Sequence, residues 1–326
     1  METDIENSHI TSAKHTLWGI IMGVTRSIKK IMKSMPTIEG AGVHLKRAFG
    51  FNHVPQLDPF LLLDDFHSDD PKEYIMGFPW HPHRGIETIT YMLSGEVEHG
   101  DSMGNKGVIE SGDVQWMTAG SGIVHQEMPK SQEGTTLWGF QLWANLPASH
   151  KMMEPRYQEV KSEQIPEVPM NNGIRIKVIC GEVNGTKGPV QDIVTDPEYL
   201  DITIPPETSF SHPTKTGYTV FAYVLEGEGS FGKDQEPYSF EVEGSKYFDL
   251  NESSTIGPEN LVMFDDGDEI VATAGNKGLR FLLISGKPIN EPVAWYGPIV
   301  MNTQEELKVA FEEYRNGTFI KSGNSD

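Results

Sequence analysis

His81-Pro82-His83 places two imidazoles at i and i+2, and His125 and Glu127 repeat that spacing just after the turn Ala119-Gly-Ser-Gly122. On an extended strand such residues point to one face, which in a barrel can be the interior. Two such pairs facing each other offer three neutral nitrogen donors and one carboxylate oxygen. That borderline set suits ferrous iron, manganese, nickel, copper or zinc, and it leaves coordination positions open for water, O2 or a substrate. A lone histidine is more often a surface or satisfied core residue, so His-Pro-His by itself is a weak signal, and its weight depends on the rest of the chain.

An internal repeat supplies that weight. Ile89-Thr-Tyr-Met-Leu-Ser-Gly-Glu96 resembles Phe221-Ala-Tyr-Val-Leu-Glu-Gly-Glu228, 132 residues further on. Gly112-Asp113 followed by Thr118-Ala119-Gly120 recurs as Gly267-Asp268 followed by Thr273-Ala274-Gly275, at an offset of 155. The change of offset predicts about 23 extra residues in the second copy, placed in the polar stretch Gly232 to Glu259, as surface-loop insertions are. With these offsets His81 and His83 fall opposite Pro213 and Lys215, and His125 and Glu127 opposite Arg280 and Leu282. All four candidate ligands are then missing together from the second copy, as the ligands of one metal should be.

Both copies have the texture of strands, β-branched and aromatic runs separated by Gly-Glu, Gly-Asp and proline-containing turns. The expected fold is all-β, two tandem barrels with a C-terminal helix. That helix is announced by a capping box at Thr303 and Glu306, an apolar stripe of Leu307, Ala310, Phe311 and Tyr314, and a stop at Asn316-Gly317. The expected boundaries are an extension over 1–36, a metal-binding barrel over 37–146, a proline-rich linker over 147–170 and a metal-free barrel over 171–326. In the extension, Leu17, Trp18, Ile21, Ile28, Ile31 and Met32 alternate with Arg26, Lys29, Lys30 and Lys33 at roughly helical spacing. A basic targeting or membrane-surface helix is one reading. The acidic start at Glu2, Asp4 and Glu6 weighs against it, in favour of an extension without fixed structure, with translation starting at Met22.

A formal charge of −21 repels phosphate backbones, so direct nucleic-acid binding is not expected. No apolar run approaches the roughly 20 residues of a membrane span. The one cysteine, Cys180, lies in an apolar stretch and reads as a buried structural thiol. The sequons at Asn184, Asn251 and Asn316 are chance-level matches expected to stay unmodified. Lys46-Arg47 reads as a solvated pair of charges, with a short basic patch that contacts a protein partner as the alternative, His67 as part of a solvated acidic run, and His99 as a surface or rim residue.

The stretches Leu57-Asp-Pro-Phe-Leu-Leu-Leu-Asp64, His81-Pro-His-Arg-Gly-Ile-Glu-Thr88, Gly112-Asp-Val-Gln-Trp-Met-Thr-Ala-Gly120 and His125-Gln-Glu-Met128 together resemble the pirin family of the cupin superfamily. The likeness continues through Met153-Glu-Pro-Arg-Tyr157 to Met301-Asn-Thr303. The resemblance implies two cupin barrels, with Fe(2+) or another divalent metal held in the first by His81, His83, His125 and Glu127. Many cupins place a carboxylate ligand where Glu87 stands, four residues after His83. With Glu127 present a fifth ligand would crowd the substrate, so Glu87 is expected behind the ligands or in a structural role. Ser121-Gly122 stands where many members have arginine.

The resemblance further implies a quercetin 2,3-dioxygenase-like activity on a flavonol or other enol with O2, Glu127 being both ligand and proton acceptor. Trp116 and Met117 are candidate pocket walls, with core packing as the competing role. The alternative implied is a redox-sensitive iron protein in the nucleus or cytoplasm that acts on a transcription factor or other protein partner.

Overall fold

The computed structural model describes residues 23–131, 134, 136–232, 239–243 and 255–321. The N-terminal half forms two facing antiparallel sheets. The larger runs, in spatial order, Met35–Glu39, Val43–Phe49, Phe60–Ser68, Leu137–Asn145, Ile86–Ser94, Val114–Thr118, Arg156–Val160; the smaller runs Phe78–His83, Ile123–Lys130, Glu96–Asp101, Lys106–Ile109. In the C-terminal half two long strands, Thr219–Phe231 and Glu269–Gly286, pass from one face of the barrel to the other, with bulges in their pairing near Glu226 and Gly227. The two tandem barrels expected from the sequence are present. No helix among the described residues is long and apolar enough to cross a membrane.

The proline-rich stretch is not a bare linker. Arg156–Val160 adds an edge strand to the first barrel, and Glu167–Pro169 adds one to the second. Residues 28–36 likewise depart from both readings of the extension. Ile28–Lys33 is a strand paired antiparallel with Asn260–Phe264 of the second barrel, Ile31 opposite Val262, and Ile28 and Ile31 enter that barrel's core. A ready edge strand outweighs the local helical spacing. Buried Arg26 fastens the segment by donating to Thr214 Oγ1 and to the carbonyls of Asp265 and Lys215. The remainder of the basic stretch, before residue 23, lies outside the described residues.

Pairing registers reveal which positions of the two barrels correspond. Tyr91 and Tyr223 pair with Phe140 and Leu282, these with Asp65 and Asp201, and these in turn with Lys46 and Lys177. The first repeat match therefore holds, but the second does not. Trp116 stands opposite Ile89 as Met263 stands opposite Phe221, so Val114–Thr118 corresponds to Asn260–Phe264, and the Gly-Asp turns belong to different connections. From Ile89 to Trp116 is 27 residues and from Phe221 to Met263 is 42, so the insertion is 15 residues rather than 23. His125 pairs with His81 as Ile270 pairs with His212, while Glu127 pairs with His99 as Ala272 pairs with Phe231. The true counterparts of the ligand candidates are thus His212, Thr214, Ile270 and Ala272. One histidine is retained, and it bonds to Glu198 Oε2 at 3.0 Å.

The interior of the second barrel is continuous hydrocarbon, with Val224, Phe231, Ile270, Ala272, Phe281 and Leu283 in one cluster. The outer faces of the two large sheets pack together, joining Ile89, Tyr91, Trp116 and Phe140 to Phe221, Tyr223, Met263 and Leu282. Full burial of each such side chain is worth about 1.5–3 kcal/mol. The inside of the first barrel is instead divided into two apolar clusters, with the histidines between them.

Beyond the second barrel the chain returns to the first. The hairpin Ala294–Tyr296/Ile299–Met301 and the helix Gln304–Asn316 lie against it, and Val300 N donates to Arg84 O at 3.1 Å. Helix start and stop are as expected. Thr303 and Glu306 cap each other, and Gly317 takes the left-handed conformation, φ 73°, that glycine tolerates. Arg84, 2% exposed, clamps this segment through Glu313 at 2.7 Å, the carbonyls of Phe319 and Ser121, and the face of the Phe319 ring.

Candidate metal centre

His81 and His83 share one side of the strand Phe78–His83, and His125 is the cross-strand partner of His81 on Ile123–Lys130. A ligand atom from each lies within 4.8 Å of those of the other two. Nδ1 of His81 contacts Pro79 O at 2.8 Å, and Nδ1 of His83 contacts Pro298 O at 3.0 Å. A carbonyl can only accept, so each Nδ1 carries the proton and each Nε2 keeps a lone pair. Those two Nε2 atoms face each other at 3.0 Å with no proton to share. His125 is fully buried, and neither of its ring nitrogens has a partner. Unpaired buried polar atoms cost roughly 1–3 kcal/mol each. Three converging lone pairs are what a divalent cation requires of its ligands, and orientation by carbonyls is how metal-binding imidazoles are held.

The protonation state fits as well. Burial, reinforced by neighbouring imidazoles, holds His83 and His125 well below the ordinary histidine range, so both rings are neutral donors at neutral pH.

Glu127 is not part of the cluster. A register shift lies between His125 and Glu127, and the carboxylate accepts from Thr90 Oγ1 at 3.0 Å and Gln141 Nε2 at 3.3 Å. It lines the same cavity as His81 and His83. The structure therefore gathers three of the four candidates and parks the fourth beside them.

The other expectations fare differently. Of the two readings of Glu87 the structural one fits, and a place behind the ligands does not. Glu87 alternates with Thr88 and Thr90 along its strand and so points to the outer face, where Thr118 Oγ1 donates to it at 2.6 Å. Burial raises its carboxyl above the usual range. His99 is buried rather than at the rim, bonded to Asp101 at 3.2 Å, with its ring centroid 5.5 Å from that of His125. His67 is exposed and stacks on Trp138. Lys46 and Arg47 are not a free basic patch, since Lys46 pairs with Glu259 and Arg47 with Asp64 and Glu39. Cys180 is buried, its thiol pushed up to about 12, as an inert structural cysteine should be.

A cavity of about 650 Å³ opens above the histidines. Its walls include Phe66, Phe78, Trp143 and, from the returning C-terminal segment, Trp295 and Tyr296. Trp143 meets His83 edge-on at 5.0 Å. Trp116 and Met117 do not line it. Trp116 points into the core between the barrels, and Met117 is fully buried in the apolar cluster that Trp143 borders. The sequence reading missed Thr90, Gln141 and Pro298, whose roles depend on pairing across the barrel and on the chain's return from 215 residues away.

Comparison with known proteins agrees with this architecture. Residues 42–144 match the family described as Pirin, and residues 199–320 match the Pirin C-terminal cupin domain. A pirin-like protein of Caulobacter vibrioides is 41% identical over 295 residues, 90% of this chain and 99% of its own. Pirin-1 of Arabidopsis thaliana is 42% identical over 294 residues, 89% of this chain and 92% of its own. The crystal structure of a quercetin 2,3-dioxygenase from Acinetobacter baumannii superimposes with a TM-score of 0.78 at 30% identity, covering 90% of this chain and 98% of that one.

Proposed function

The chain belongs to the pirin family, and from that premise we propose that it is an Fe(2+)-dependent dioxygenase of the quercetin 2,3-dioxygenase type, acting on a flavonol or another planar enol. The observation that carries the proposal is the convergence of three histidine nitrogens at the base of an aromatic-walled cavity. Imidazole and carboxylate donors suit ferrous iron among several divalent ions. When bound, the metal supplies Lewis acidity and a meeting point for the substrate oxygen and O2.

The remaining roles fall to the chain's own side chains. Phe66, Phe78, Trp143 and Trp295 offer flat apolar surface to the rings and keep bulk water from the floor. Glu127, held at its two oxygens by Thr90 and Gln141, would as a carboxylate beside the three histidines receive the proton of the enol hydroxyl. Arg47, although it lines the cavity, is neutralised by Asp64 and Glu39, so the cavity selects an uncharged ring system rather than an acid.

The test is anaerobic purification, elemental analysis, and parallel measurement of quercetin loss and O2 uptake for the wild type and His83→Ala. Stoichiometric iron with turnover, both lost in the variant, is the expected result. Iron bound without turnover in the wild type would overturn the enzyme reading and favour a metal-dependent interaction protein. Absence of tightly bound metal would overturn both.

A further inference from the structure

The two barrels treat one equivalent position differently. In the first, Lys46 pairs with the carboxylate of Glu259, which also receives Lys33 Nζ at 3.2 Å. In the second, Lys177 occupies the same register, beside Asp201 as Lys46 is beside Asp65, but although Glu167 flanks it on the other side it makes no ion pair among the described residues. It lines instead an open cleft of about 560 Å³.

Four cations line this cleft, Arg175, Lys177, Lys277 and Arg280, against three carboxylates, Glu167, Asp201 and Glu226. Arg280 is committed, with contacts of 3.0 and 2.8 Å to Asp201 and 2.8 Å to Glu226. Arg175 is only loosely tied to Glu167, at 3.9 Å. Lys177 and Lys277 have no ion pair among the described residues. A net positive cleft in a chain of formal charge −21 is a local exception to the global field. Its apolar lining comes from Pro205 and Pro206, with Ile204 and Leu279 almost wholly buried beneath.

We propose that this cleft binds a small organic acid, its carboxylate seated against Lys177 and Lys277 where Glu259 sits against Lys46 in the first barrel, and its short hydrocarbon body against the proline wall. The molecule thus carries its own stand-in for the ligand. The site lies on the second barrel, so the proposal does not depend on the metal or on turnover.

The probe is succinate, titrated by calorimetry into the full-length protein at low ionic strength and again at 0.2 M salt. Saturable binding that weakens with salt is expected, as is a roughly tenfold or greater loss in Lys177→Ala/Lys277→Ala. The exposed lysine variant Lys106→Ala and the ligand variant His83→Ala should both bind succinate like the wild type. The cleft assignment is overturned by no binding, by an equal loss in Lys106→Ala, or by a loss confined to His83→Ala. Binding of a glutamate-rich peptide without binding of succinate would overturn the small-ligand reading in favour of a protein partner. Matching melting temperatures keep the comparison free of folding defects.

Discussion

Tyr91 and Tyr223 occupy equivalent positions in the two barrels, and each hydroxyl crosses the interface to the aspartate at the other's equivalent position. Tyr91 donates to Asp201 at 2.8 Å and Tyr223 donates to Asp65 at 2.9 Å. The symmetry fails at the next contact, because Asp201 is bound by the Arg280 guanidinium whereas Asp65 Oδ1 has no partner. Burial therefore dominates at Asp65 and pushes its carboxyl up to about 6.

This asymmetry predicts a pH signature. A carboxyl whose folded value is raised favours folding when protonated, and that advantage is lost as pH rises from its unfolded value near 4 through about 6. Asp65→Asn, whose amide oxygen can still accept from Tyr223, should gain stability relative to the wild type across that window, by up to about 3 kcal/mol. Urea unfolding of metal-free protein at pH 4.5 and pH 7 measures it, and an unchanged difference between the two proteins would rule the signature out.

The second barrel already carries an experiment on His125, since its counterpart there is Ile270. His125→Ile should abolish tight metal binding, yet leave the metal-free protein as stable as the wild type or more so by about 1–3 kcal/mol, because two unpartnered buried nitrogens are removed. Metal content and thermal unfolding in chelator are the two readouts. A variant much less stable without metal would show that the imidazole has a structural partner.

Glu127→Gln keeps the shape of the side chain and can still bond to Thr90. If Glu127 accepts the substrate proton, kcat should fall by about 10²–10⁴ while the histidines retain measurable metal. Iron analysis alongside quercetin turnover separates the two effects. Undiminished turnover would remove Glu127 from the chemistry.

Arg84→Ala should destabilise the protein by about 3 kcal/mol, since it strips a buried guanidinium from Glu313 and leaves the carbonyls of Ser121 and Phe319 bare. It should also speed metal loss to a chelator, because the segment it clamps carries the Pro298 carbonyl that orients His83. Comparing melting temperature with the chelation rate tests both, and faster melting with unchanged metal release would uncouple the clamp from the site.

What could be read from the sequence was local. His81 and His83 share a face because strand geometry alone puts i and i+2 together, and the terminal helix announces both ends within its own residues. Errors arose where distant pairing decides. Phe78 and His81 span three residues opposite the two-residue step from Glu127 to His125, and this single extra residue hides His212 as the counterpart of His81. Ile28–Lys33 could not be recognised as a strand without its partner Asn260–Phe264, more than 200 residues away.

Segments from either side of the two barrels each serve the opposite one. Ile28–Lys33 completes a sheet of the second, and Trp295 to Pro298 complete the pocket of the first. During synthesis the three histidines emerge long before Pro298, whose carbonyl orients His83 from 215 residues further along. A polypeptide cut short before Pro298 would keep all three histidines yet leave the His83 ring without the carbonyl that fixes its tautomer.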